Sequence, residues 1–141
     1  MKPTLRILAV FLLLFLGFGA IYGGLMLISD PSGGKFEWSL ELLNGTPFKS
    51  FLIPGIILLI ANGLFPIYIA VLTLLKKKYA ASFILIQGVI VIIWLSVQLI
   101  MNPGFFLAAT HYPSFSVGIL LFLTGLYLRR KAQGSYPTSN E

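Results

Sequence analysis

The sequence has no cysteine, a single histidine and only four acidic residues in 141. Absence of thiols excludes disulfides, thiolate metal sites and thiol redox chemistry. One imidazole and four dispersed carboxylates make a poor donor set for a metal, and no HExxH, GxSxG or phosphate-binding glycine loop is present. Neither a metal nor a cofactor is expected. Charge in general is scarce: Asp, Glu, Lys and Arg together make up 10% of the residues, against roughly 25% in an ordinary soluble domain. That leaves too little polar surface to coat a particle in water, and a soluble enzyme is excluded. The 57% of apolar residues excludes a disordered chain. No internal repeat is evident.

Long apolar runs stand where these features are missing. A helix rises about 1.5 Å per residue and the hydrocarbon slab is about 30 Å thick, so a crossing needs about 20 apolar residues. Runs at 7–28, 51–75 and 79–101 meet this, and a shorter one at 113–128 covers about 24 Å. Arg129, Arg130 and Lys131 extend the fourth span by snorkelling, while Thr110, His111 and Tyr112 flank its other end. Pro113 is expected as its first helical residue, where a missing N–H is harmless. The predicted fold is all-α: an integral membrane four-helix transmembrane bundle with a short interfacial outer loop packed over its mouth, in a single domain, 1–131, followed by a polar tail, 132–141.

The loop charges are asymmetric. Lys2, Arg6, Lys76, Lys77, Lys78, Arg129, Arg130 and Lys131 fall on one side, with Lys35 and Lys49 on the other. The positive-inside rule then predicts both termini in the cytoplasm, with the loops 29–50 and 102–112 outside the plasma membrane. Topology and anionic lipid account for the net charge of +6, so nucleic acid is not expected as a partner. The first run is longer than a signal-peptide core of about 7–15 residues and no small-x-small site follows Ala20, so this span is expected to be retained.

Helices in lipid associate through close packing and polar bonds rather than water exclusion. In the first span Gly17, Ala20 and Gly24 share one face, and Gly19 with Gly23 forms a GxxxG pair on another; packing within the bundle is the main expectation, self-association or contact with another membrane protein the alternative. Gly118 and Gly125 suggest similar packing in the fourth span. The second span carries Asn62, Gly63 and Pro66 near its middle, and Pro66 has no N–H for the carbonyl four residues back, that of Asn62. A kink facing another helix is expected there. On the third span Gln87, Trp94 and Gln98 lie within about 40° at 100° per residue. Asn62 is predicted level with this stripe, with Tyr68 level with Gln87. The cluster reads as interhelical bonding or, alternatively, as a small polar site in a broken helix. No charged residue sits mid-span, which argues against a proton pump or voltage sensor.

In the first outer loop, Asp30-Pro31 and Gly33-Gly34 are turn signals, and 36–43 fits a short strand and a short helix equally well. Phe36 and Trp38 are expected at headgroup level. Asn44-Gly45-Thr46 matches the N-glycosylation pattern but reads first as a turn. Asp30, Glu37, Glu41 and His111 are the acid–base candidates, with Asp30 and His111 the pair that a pocket would use. Their spacing requires no such site.

The combination of Asp30-Pro31-Ser32-Gly33, Pro47-Phe48 with Phe51-Leu52-Ile53-Pro54-Gly55, and Trp94 with Val97-Gln98 resembles a set of small, uncharacterised bacterial four-transmembrane-helix membrane proteins. The resemblance covers most of 28–98 and implies a four-span topology in a bacterial inner membrane. It carries over no activity and no site residue, and in that setting the Asn44 sequon stays unused. The leading functional expectation is a non-catalytic accessory, scaffold or lipid-interacting protein whose partners are membrane lipids. The rival is an outward-facing membrane enzyme, or a binding pocket for a lipid or other lipophile, walled by Trp38, Trp94, Gln98 and the Pro103 to Tyr112 loop, with Asp30 and His111 as polar groups. A small-solute conduit past Asn62 and Gln87 is the third.

Overall fold

The computed structural model describes residues 2–135. Four long helices carry the chain: α1 (Pro3–Ser29), α2 (Leu52–Leu74), α3 (Ala80–Met101) and α4 (Ala108–Gly134). Each is long and apolar enough to cross a membrane, and the described residues contain no strand. Gly17 lies against Ile67 and Gly24 against Leu59, Asn62 meets Gln87, and Gly88 meets Gly118 and Phe122. Residue numbers rise on one helix as they fall on the next, so successive helices are antiparallel and both termini sit at one end. The exterior is apolar in the way lipid requires: Ile100 is 80% exposed and Ile7 68%, side chains that a water-facing surface would not gather in such numbers.

Two interlocked helix pairs hold the bundle. A Cβ at Gly24 would lie 2.9 Å from the Gly55 carbonyl, and one at Gly63 would lie 2.9 Å from the Ile21 side chain, so α1 and α2 touch backbone to backbone. Gly88, Gly118 and Gly125 make α3 and α4 meet in the same manner. At the terminal end Ala9, Leu13, Ile69, Ile84, Leu121 and Leu128 close a common core.

The outer ends of the helices depart from expectation in one respect. Pro113 lies inside α4, not at its start. Thr110 and His111 both donate their backbone N–H to the Leu107 carbonyl, at 3.0 and 2.8 Å, and so begin the helix before the proline. Pro113 deprives only the carbonyl of Ala109, four residues back, and Ala109 is exposed near the helix end. At 27 residues α4 is about 40 Å long and needs no help in crossing the slab. It also runs into the predicted polar tail as far as Gly134; the remainder, 136–141, lies outside the described residues.

The long loop is neither strand nor α-helix but two 3-10 turns, Gly34–Phe36 and Leu40–Leu43. Gly33 makes its fold possible. At φ 81° it occupies the left-handed region, and an added Cβ would lie 2.8 Å from the Phe51 ring. The loop is tied down by Phe51 N–H to the Pro31 carbonyl (2.8 Å) and by Asn102 Nδ2 to the Leu42 carbonyl (2.8 Å). Asn44 is exposed in the turn that follows, with Gly45 at φ 84°.

Asp30 organises the loop's first turn. Its carboxylate accepts from the Ser32 hydroxyl at 2.5 Å and from the Lys35 N–H at 3.1 Å. The Ser32 hydroxyl bond, foremost, holds its pKa below the ordinary 3.8. A carboxylate with a lowered folded pKa contributes order in full above its unfolded value and loses it as pH falls through the folded value. The protection of the Lys35 amide, its exchange rate relative to the intrinsic rate at each pH, should therefore hold from neutral pH down to about 4 and fall only below 3.8. Loss of protection already near pH 6 would show that another group holds the turn.

Candidate functional site

Toward the loop end the bundle is not closed. Between α1 and α4 lies a cavity of about 550 Å³, in the size range of small-molecule sites. Its rims are the exposed Phe15 and Tyr22 of α1 and the exposed Thr110 and Pro113 of α4. Gly19 belongs to its wall, and a Cβ there would meet nothing within 4 Å. Gly23, the other half of the GxxxG pair, instead packs on Leu58. Trp94 and Gln98 wall both this cavity and a smaller one of about 100 Å³ beneath the loop.

An aromatic chain borders the cavity at its loop end. Phe36 stacks on Trp38 with centroids 4.7 Å apart, Trp38 meets Phe105 edge-on at 5.2 Å, and Phe105 meets His111 at 6.1 Å. Phe106 also packs on His111, at 5.4 Å. Such contacts contribute about 0.5–1.5 kcal/mol each beyond burial. Phe36 and Trp38 thus pack onto the bundle itself. Phe51, Phe105 and Asn102 carry this lid; Phe105 belongs to the 103–112 loop expected as a pocket wall, whereas Phe51 and Asn102 were given no such role. Asn102-Pro103-Gly104 was a turn signal that could have pointed there.

The polar wall comes from mid-α2. Leu58–Leu64 is a π-helical segment, in which Phe65 N–H reaches back five residues to the Ile60 carbonyl. In that register the carbonyl that Pro66 cannot serve is Ala61's, not Asn62's as the α-helical count had it. Gln87 Nε2 donates to the Ala61 carbonyl at 3.1 Å and to Asn62 Oδ1 at 3.3 Å. One amide on α3 therefore covers both consequences of the irregular helix. Bonds of this kind across spans contribute roughly 0.6–2 kcal/mol. Tyr68 takes no part: it is about 240° further round the helix from Asn62 and stacks with Phe65 and Phe83.

Two residues of the cavity wall each carry a buried polar atom with no partner. Asn62 and His111 are each 2% exposed and both line the cavity, yet Asn62 Nδ2 and His111 Nε2 have no hydrogen-bond partner. Gln87 Oε1, behind them, is also unpaired. Buried polar groups in this state cost about 1–3 kcal/mol each, and their coincidence at one cavity marks it as the candidate site.

The acid–base candidates are not brought together. Asp30 is held by Ser32 and Lys35, and Glu37 and Glu41 are exposed in the loop; none of the three lines the cavity that His111 lines. Among the described residues no three His, Cys, Asp or Glu side chains cluster as metal ligands would. The fold and cavity define a four-helix protein of membrane type with a pocket open at the side of the bundle. Comparison with protein-family models, with curated proteins and with solved structures finds no match to the chain.

Proposed function

We propose that the protein is a non-catalytic integral membrane protein of the bacterial cytoplasmic membrane that binds a membrane lipid or another lipophile in the pocket between α1 and α4. Both termini face the cytoplasm, a reading supported by the concentration of Lys and Arg at the terminal end and the Lys76 to Lys78 turn. The pocket then lies in the outer leaflet, its open side toward the acyl chains. The observation that carries the reading is the cavity of about 550 Å³ with unpaired amide and imidazole nitrogens at an otherwise largely apolar wall. A catalytic role would need convergent groups, and Asp30 is tied into its own turn while His111 stands apart among aromatic rings.

Gly19→Phe tests this directly, because Gly19 lines the cavity and a Cβ there meets nothing within 4 Å, so the side chain starts without a clash. Native mass spectrometry after gentle extraction should find wild type carrying a bound lipid or lipophile, and Gly19→Phe retaining about tenfold less, a difference of about 1.4 kcal/mol. Once both proteins are stripped of bound lipid, their melting temperatures should coincide. Equal retention by the two proteins would refute the pocket.

A further inference from the structure

We infer that the ligand of this pocket is an uncharged lipophile presenting carbonyl oxygen, from a glycerolipid ester or a quinone, to Asn62 and His111; the inference rests on the pocket reading above. The first step is which hydrogens the free nitrogens carry. The Leu107 carbonyl already accepts from the backbone of Thr110 and His111. His111 Nδ1 lies 3.1 Å from both the N–H and the carbonyl oxygen of Leu107. The carbonyl already accepts two backbone bonds while the N–H has no other acceptor, so the geometry favours Nδ1 as acceptor with the ring proton on Nε2. On α2, Asn62 Oδ1 is occupied by Gln87, which leaves the Nδ2 hydrogens free. Both unpaired groups at the cavity are donors, and the ligand must supply acceptors.

The second step is charge. No Lys, Arg, Asp or Glu lines the cavity among the described residues. A phosphate or carboxylate drawn to this depth would give up its hydration with no cation to replace it, which costs far more than two neutral N–H groups return. Carbonyl oxygen of an ester or quinone is a good acceptor without that penalty. The third step is the body of the ligand: Leu16, Ala20, Leu27, Leu58, Val91 and Leu95 offer an aliphatic wall to a chain entering from the membrane.

The test uses the full-length protein in nanodiscs with three probes: dioleoylglycerol, decylubiquinone and dodecyl phosphate. Retention is read by native mass spectrometry and thermal shift. One of the two neutral probes should be retained at least about tenfold better than dodecyl phosphate, and which one it is identifies the source of the carbonyl. Asn62→Leu and His111→Phe, both close to the native shape, should each weaken that probe about five- to tenfold, as loss of one hydrogen bond to a neutral acceptor would. Dodecyl phosphate retained as well as both neutral probes would overturn the inference from wild type alone, whatever the variants do. So would undiminished binding of the neutral probes in both variants. Gly19→Phe separates the two levels: if it blocks all probes while charge makes no difference, the pocket stands and the ligand class is wrong, and if it blocks none, the pocket itself fails.

Discussion

Replacing Gly88 with alanine should destabilise the bundle by about 1–3 kcal/mol, the range for overpacking, although it adds a single methyl group. The added Cβ would lie 2.5 Å from the Phe122 backbone nitrogen and 2.7 Å from the Gly118 carbonyl. Both are main-chain atoms of α4 and cannot rotate away as a side chain does. The helices must separate, and the contacts on either side, at Gly118 with Val91 and at Gly125 with Leu85, loosen with them. Gly19→Ala is the internal control, since nothing lies within 4 Å of its Cβ. Denaturation by SDS in mixed micelles should show a lower midpoint for Gly88→Ala and an unchanged one for Gly19→Ala. Coincident midpoints for all three proteins would show that α3 and α4 do not meet this closely.

Gln87→Leu should cost a similar amount, about 1–3 kcal/mol, for a different reason. It strands two acceptors at once: the Ala61 carbonyl released by Pro66 and the Asn62 side-chain oxygen. The cause can be isolated in a cycle with Pro66→Ala. An alanine there restores a backbone N–H to the helix, so the Ala61 carbonyl no longer depends on α3. The penalty for Gln87→Leu should be smaller in the Pro66→Ala background than in wild type, by the value of one interhelical bond, about 0.6–2 kcal/mol. Equal penalties in the two backgrounds would mean that Gln87 does not serve that carbonyl.

Particular residues show how far the sequence is legible. Pro66 announces an interrupted helix, and Gln87 announces a partner for it, because an amide in hydrocarbon must bond to something. Their meeting was foreseeable from heights along antiparallel spans. The π register was not, since one extra residue in a turn shifts the deprived carbonyl from Asn62 to Ala61 without any change in composition. His111 was visible as the sole imidazole, but its burial against Phe105 and Phe106 depends on how the last loop folds back. Gly19 read as one half of a helix-packing pair; the structure places it at open space while its partner Gly23 packs on Leu58. Small-residue spacing says that close approach is permitted and cannot say whether a neighbour takes it. Pro113 misled in the same way, because its cost depends on whether the carbonyl it deprives is buried or exposed.

By itself the sequence determined four helices of crossing length, their apolar exterior and their antiparallel order, because hydropathy and rise per residue are properties of neighbouring residues along the chain and successive crossings of one slab alternate in direction. Only the tertiary structure decided that α1 and α4 part at the loop end, that Trp38 and Phe105 cover the gap, and that Asn62 and His111 stand unpaired at its wall. Those outcomes follow from the rotation and separation of whole helices, to which the glycine contacts of α1 with α2 and of α3 with α4 contribute, and no local pattern encodes them.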